Sequence, residues 1–274
     1  MLFTLFSATG CMRCKIVKSY MDDLGITYQE FDFKLDGKDE FNAFYRKNRS
    51  DIYRGKEGVE FPIFFNGEKV VQGVGMIIAF LKAEELLNRF VTRSELSHGW
   101  VSGLNVDAGA SLGDEFIEVV EYLKTHGLKT QIESDGRNAH ILRQLCEKHL
   151  VDRLVFNLRG PAGLYEALTT IPLSEEELAQ SLLLLEQWPE YKIILSIVPV
   201  QRPNNQISYI NPEEASEAAA FVEQATHKKT HPFYIKENIP LDEKETLPAP
   251  NLFKYRTACR RYMVKTEIIK QETI

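Results

Sequence analysis

The sequence has no apolar run near the roughly 18 residues that a membrane-spanning helix needs, so no membrane partner is expected. It has no excess of basic charge: 33 Lys and Arg stand against 39 Asp and Glu. No basic cluster carries interleaved aromatics, which argues against nucleic acid as a partner. Cysteine is scarce, with four in 274 residues. There is one CxxC, no second one and no CxxxCxxC, so neither a tetrahedral zinc site nor a four-iron cluster motif can be read locally. The six histidines show no ligand spacing and read as surface or helix-end residues. Low-complexity tracts and close internal repeats are also missing. The opening MLFTLFSATG lacks a basic start and reads as a first strand, not a signal peptide. A cytoplasmic location with reduced thiols is the expectation.

What is present is a globular composition, 44% apolar and 26% charged, long enough for two ordinary domains. The charge is unevenly divided. Residues 1–93 hold 14 basic and 13 acidic residues, and the remainder holds 19 basic and 26 acidic. A near-neutral front and an acidic rear predict two units, 1–92 and 98–274, with a polar linker at 91–99. The fold class expected is α/β.

In the front, LFTLF, ITYQEFDF, FPIFF and EKVVQ read as strands. Helices are predicted over 12–24, 39–49 and 76–89, giving the order β-α-β-α-β-β-α. Asn66-Gly67 is a hairpin turn signal. In the rear, strands near GLNVDA, KTQIES, RLVFNL, KIILSIV and PFYIK alternate with helices near 112–126, 138–149, 174–187 and 212–227. Five βα units in a row imply a parallel sheet, open or partly closed into a barrel. Residues 201–209 and 238–252 read as Pro- and Asn-rich loops. FKYRTACRRYMVKTEI is aromatic and basic. It either contacts a partner or closes the sheet edge with MVKTEI as a strand.

The chemistry is carried by Cys11-Met12-Arg13-Cys14, which follows a strand and opens a helix. Free N–H groups and the positive end of the helix dipole stabilise a thiolate there. Arg13 and Lys15 add positive charge. Cys11 at the helix tip is the expected nucleophile, and Cys14, one turn inward, the resolving thiol. Half of a metal site or an incidental pair are the competing explanations. Cys146, between Leu145 and Leu150, reads as a small core residue.

Residues 1–90 resemble a glutaredoxin or glutaredoxin-like redoxin of the thioredoxin fold, on the strength of TGCMRCK and GVEFPIFFNGEKVVQG. The resemblance implies a cis peptide at Pro62. It implies that Phe61 presents its backbone to an incoming peptide or thiol. It places Gly73 and Gly75 against glutathione. The sequence departs from the glutaredoxin pattern at three places. Met12-Arg13 stands where glutaredoxins carry a proline–tyrosine pair, Ala8 where they often carry a lysine, and Val74 breaks the glycine pair. These departures resemble redoxins fed by a thioredoxin reductase. The electron donor expected is therefore that reductase or glutathione, and the substrate a protein disulfide.

The rear resembles radical-SAM activating enzymes, which install glycyl radicals. The stretches are LNVDAGASLGDEFIEVVEYLKTHG, KTQIESDGR, LVDRLVFNLRGPAGLY and YKIILSIVPV. The positions matching that family's functional turns are Asp107-Ala108-Gly109-Ala110, Ser134-Asp135-Gly136, and Asn157 before Gly160-Pro161. The cluster motif is absent, so neither a 4Fe-4S cluster nor S-adenosylmethionine is expected. A truncated, partial barrel that has lost the radical chemistry is implied. Asp107, Glu133, Asp135, Asn157 and Arg159 fall at or near carboxyl ends of strands, where open α/β sheets bind ligands. They form a candidate ligand rim, or serve only as caps and turns.

The function expected is a thiol–disulfide oxidoreductase needing no bound cofactor or metal, with a rear domain that docks a partner. The partner the resemblance suggests is a glycyl-radical or ribonucleotide reductase system. The alternatives are a ligand-binding or regulatory module and an Fe–S cluster carrier.

Overall fold

A computed structural model describes residues 3–56, 58–93, 99–107, 113–202, 206–237 and 247–269. The matching positions Ala108, Gly109 and Ala110, most of the 91–99 linker, and much of the 238–252 loop lie outside the described residues. The chain is mixed α/β, in two compact units: residues 1–105 with 112–130, and residues 106–111 with 131–274.

The first unit opens with β1 (Phe3–Ser7), α1 (Met12–Asp23), β2 (Tyr28–Asp32), α2 (Lys38–Lys47), β3 (Arg54–Gly55) and β4 (Gly58–Val59). It continues with β5 (Ile63–Phe65), β6 (Val70–Gln72) and α3 (Val74–Ala83). Four strands form a mixed sheet in the order β2-β1-β5-β6. β1 pairs parallel with β2 and antiparallel with β5. β5 and β6 are the hairpin that Asn66-Gly67 signals. Its turn is held by the Asn66 side-chain oxygen, which accepts from the N–H groups of Glu68 and Lys69. One face of the sheet buries an aromatic cluster of Phe6, Phe41, Ile52 and Ile63, with Phe31, Phe33, Phe44 and Phe61 packed on it.

β7 (Trp100–Asn105) and α4 (Asp114–Thr125) follow, and they group with this first unit. The sequence puts a boundary at 92–98, but compaction divides the chain further on. The cause is packing. Tyr20 meets Tyr122 edge to face at 4.6 Å between ring centroids. Lys82 pairs with Glu118, Phe90 contacts Phe116, and Val91 bridges to Leu104.

The remaining elements are β8 (Lys129–Ser134), α5 (Ala139–Glu147), β9 (Arg153–Leu158), α6 (Tyr165–Thr169), α7 (Glu175–Leu182) and β10 (Glu190–Ile197). After them come β11 (Pro199–Gln201), β12 (Ile207–Tyr209), α8 (Pro212–Thr226), β13 (Phe233–Glu237), α9 (Leu252–Cys259) and β14 (Glu267–Ile269). A six-stranded sheet has the order β14-β13-β10-β9-β8-β7. Pairing is parallel from β8 through to β14. The strands lie in chain order, the arrangement in which crossovers of the usual right hand would put successive helices on one face. Ile132, Leu154, Phe156, Ile193, Leu195, Phe233 and Ile235, all buried, fill one side of these strands.

β14 supplies the edge strand that MVKTEI suggests. Residues 201–209, read from sequence as a loop, instead carry part of the antiparallel β11–β12 pair. Among the described residues, no helix is long and apolar enough to cross a membrane.

The surface reading of the histidines fails at His231, which is 0% exposed. Its ring nitrogens sit 2.8 Å from the Tyr191 hydroxyl and 2.9 Å from the Thr226 hydroxyl. Burial, with Lys228 nearby, pushes its pKa down to about 4. The unfolded imidazole titrates near 6.5. The stability this residue contributes is therefore complete above pH 6.5 and falls as the pH drops toward 4. The loss amounts to at most about 3 kcal/mol. Denaturant unfolding at pH 7.5 and pH 4.5 should show that His231→Gln narrows the difference between the two pH values. An unchanged difference would remove His231 as its source.

Candidate functional site

The site begins at the β1–α1 junction. Cys11 is the N-cap of α1, and its Sγ accepts from the Cys14 N–H at 3.1 Å. This is the free donor that a helix start leaves over. Cys11 and Cys14 are joined as a disulfide, with Cα atoms 5.3 Å apart. Cys11 is partly exposed, whereas Cys14 is 2% exposed. The asymmetry suits an outer sulfur that meets a partner and an inner one that does not.

The loop carrying Cys11 is pinned from β2. Asp32 accepts from the Thr9 N–H at 3.1 Å and from the Thr9 hydroxyl at 2.7 Å. Burial pushes the Asp32 carboxyl up, but hydrogen bonds from Thr9 and Lys34 outweigh it and hold the pKa below its ordinary value. Behind it, the Ser7 hydroxyl donates to Glu30, which also pairs with Lys18.

Opposite the disulfide, the Phe61–Pro62 bond is cis, and the Phe61 carbonyl oxygen lies 3.8 Å from Cys11 Sγ. The Phe61 ring is held by the aromatic cluster, at 5.2 Å from Phe41 and 5.5 Å from Phe33. Its backbone is thus left beside the sulfur while its side chain packs away. The preceding loop is fastened by Gln72, which donates to the carbonyls of Glu60 and Tyr53 and accepts from the Tyr53 N–H. Gly73 donates its N–H to the Pro62 carbonyl at 3.0 Å. Its φ of 97° is a conformation that favours glycine.

The other two predicted positions turn inward. Gly75 is buried in α3, where an added Cβ would lie 3.4 Å from the side chains of Val91 and Val101. Arg13 donates to the Trp100 carbonyl at 2.9 Å. Burial lowers its pKa, with Glu60 opposing. A cavity of about 10 Å³ lies beside these groups, lined by Arg13, Glu60, Gln72, Gly73, Arg93 and Val101. It has room for about one water. The Arg93 guanidinium stacks 3.2 Å over the Tyr53 ring.

In the second unit, the predicted rim residues bond mostly to protein groups. Arg159 pairs with Asp107 at 3.1 Å, and Asn157 donates to Glu133 at 2.9 Å. Asp135 is buried against Arg137. The Arg137 guanidinium also donates to the Thr169 hydroxyl and the Ile171 carbonyl. Buried Tyr165 donates to the Asp135 carbonyl at 2.9 Å. Burial pushes the Asp135 carboxyl up to about 6, with Arg137 pulling the other way. The remaining cysteines are both buried. Cys146 lies 3.7 Å from the Gln187 side-chain oxygen, and Cys259 donates to the Ala215 carbonyl. Burial pushes the Cys259 thiol up to about 12. Two buried, separately bonded thiols do not fit a three-cysteinate cluster.

Sequence reasoning missed Asp32, Gln72, Arg137 and Tyr165. Their roles depend mostly on partners 12 or more residues away, apart from Arg137's bond to Asp135 and the Lys34 N–H bond to Asp32. The only local signal was the turn Ser134-Asp135-Gly136. Compared with family models and with curated proteins, the chain matches none.

Proposed function

We propose that the protein is a thiol–disulfide oxidoreductase of glutaredoxin type, working through Cys11 and Cys14. The observation that carries this is the capped Cys11 sulfur, bonded to the Cys14 N–H and facing the Phe61 carbonyl. In the reduced protein, the Cys11 thiolate attacks one sulfur of a substrate disulfide. A mixed disulfide forms and the substrate's other sulfur leaves as a thiolate, which takes a proton. Cys14 then loses its proton and attacks Cys11 Sγ, releasing the second substrate thiol. Two electrons have passed to the substrate, and the protein holds the Cys11–Cys14 disulfide. A donor dithiol or two glutathione molecules restore the thiols. The chemistry requires no metal and no bound cofactor.

With the short β3–β4 ribbon set aside, the order β-α-β-α-β-β-α, the strand order β2-β1-β5-β6 and the cis proline beside the CxxC support a thioredoxin fold for the first unit. In the second unit, parallel strands in chain order support a partial barrel. We assign that unit to docking a protein partner in the cytoplasm. A glycyl-radical or ribonucleotide reductase system is the partner its resemblance suggests. Catalytic reduction of a protein disulfide, followed with dithiothreitol as terminal donor, tests the core of this proposal. Turnover in the wild type that disappears in Cys11→Ser supports it, and equal turnover in both contradicts it.

A further inference from the structure

The cis proline is reached through a short excursion of the chain. After Ile52, which is buried in the aromatic cluster, the chain runs out along β3, returns along β4 and enters Glu60, Phe61 and Pro62. The ribbon pairs Arg54 with Val59 and Gly55 with Gly58. At its base, between Tyr53 and Glu60, the side-chain amide of Gln72 takes the place of a further ladder pair. It donates to the Glu60 carbonyl at 2.8 Å and to the Tyr53 carbonyl at 3.1 Å, and it accepts from the Tyr53 N–H at 2.8 Å.

The β5–β6 register sets Gln72 opposite Ile63, the residue after Pro62. Gln72 is buried, at 6% exposed, and a buried amide needs partners. Both of its donor hydrogens and one oxygen lone pair are used here. What the clasp fixes is the plane of the peptide bond between Glu60 and Phe61, because that plane turns with the Glu60 carbonyl. On the other side, the Gly73 N–H holds the Pro62 carbonyl at 3.0 Å. Residues 72 and 73, adjacent in the chain, thus grip the backbone on either side of Phe61. Between the two grips, the Phe61 carbonyl faces Cys11 Sγ at 3.8 Å.

We infer that Gln72 is a positioning residue for peptidyl disulfides, holding the Phe61 backbone in the pose on which an incoming chain docks; this rests on the oxidoreductase function proposed for Cys11 and Cys14. Gln72 does not activate the cysteine. Cys11 is capped by the Cys14 N–H and its loop is pinned by Asp32, and neither contact involves Gln72. Resolution by Cys14 is intramolecular and needs no docked chain. The contribution of Gln72 therefore falls on binding a substrate that carries backbone beside its disulfide. Losing an interaction made equally in the ground and transition states raises KM and leaves kcat unchanged. A small disulfide without a peptide backbone has nothing to dock and does not sense the change.

The test compares insulin, a protein disulfide, with hydroxyethyl disulfide. Both are reduced by the full chain with dithiothreitol as terminal donor, and rates are corrected for the uncatalysed reaction. Gln72→Met is close in length and volume but has no amide. It should raise KM for insulin about tenfold, with kcat within about twofold of the wild type. Its kinetic constants for hydroxyethyl disulfide should match those of the wild type. Gln72→Glu keeps the acceptor for the Tyr53 N–H and loses both donors. It should show the same split between substrates, and it serves alone if Gln72→Met fails to fold. A general loosening of the structure would instead slow both substrates together. Equal losses on the two substrates, an unchanged KM for insulin, or a fall confined to kcat would each overturn the inference. So would a wild type that reduces hydroxyethyl disulfide but not insulin. A wild type that reduces neither would overturn the oxidoreductase function, and the inference with it.

Discussion

Cys11→Ser should abolish disulfide reduction, and Cys14→Ser should accumulate mixed disulfides with the substrate. The two outcomes differ because the two sulfurs sit differently. Cys11 is partly exposed at the helix tip, with its Sγ bonded to the Cys14 N–H. A hydroxyl in its place is far less acidic and cannot form the first covalent bond, so turnover should fall to the uncatalysed level. Cys14 is 2% exposed and out of a partner's reach. Replacing it leaves the attack intact but removes the thiol that resolves the mixed disulfide. Non-reducing gel electrophoresis with mass spectrometry should show a substrate adduct on Cys14→Ser and none on Cys11→Ser. Cys146 and Cys259 are buried, and burial raises both thiol pKa values. Neither should substitute for the missing sulfur. An adduct of equal yield on Cys11→Ser would contradict the assignment.

Arg137→Met should be the most destabilising single change in the second unit that leaves the disulfide chemistry untouched. Arg137 neutralises buried Asp135 and ties it to the Thr169 hydroxyl and the Ile171 carbonyl. Removing one partner of a buried pair strands the other charge, at a cost of about 3–5 kcal/mol. The size of the loss should depend on pH in a definite direction. Burial already raises the Asp135 carboxyl to about 6 even with Arg137 present. Without Arg137 it should rise further. Near pH 5 the carboxyl is largely protonated in both proteins, and little charge is stranded. Near pH 8 the variant must bury an unpaired carboxylate or take up a proton from solution. Denaturant unfolding should therefore show a larger loss at pH 8 than at pH 5. A loss under 1 kcal/mol at both values would show that the pair is unimportant to stability.

Local patterns were legible in the sequence where they need only neighbouring residues. The strand before Cys11, the helix after it, the Asn66-Gly67 turn and the apolar strands β9, β10 and β13 all announce themselves by period and turn chemistry. The cis bond at Phe61–Pro62 followed from the resemblance, not from spacing. What was not legible depends on distant partners. Nothing near Asp32 signals that it holds Thr9, and nothing near Gln72 signals that it fastens the Glu60 carbonyl. The placing of α4 with the first unit rests on contacts such as Tyr20 with Tyr122, separated by about a hundred residues. The resemblance places Gly75 against glutathione, and nothing near it in the sequence signals its packing against Val91 and Val101. The hairpin around 201–209 was hidden by its Pro and Asn content, because turn residues also begin and end short strands.

The most direct measurement is the reduction potential of the Cys11–Cys14 pair in the full chain, with glutathione and thioredoxin reductase offered in parallel as donors. The proposed function predicts reversible formation of this disulfide at roughly −200 to −270 mV, with turnover supported by at least one donor. Failure of the two thiols to form a disulfide, or a disulfide that neither donor reduces, would contradict it.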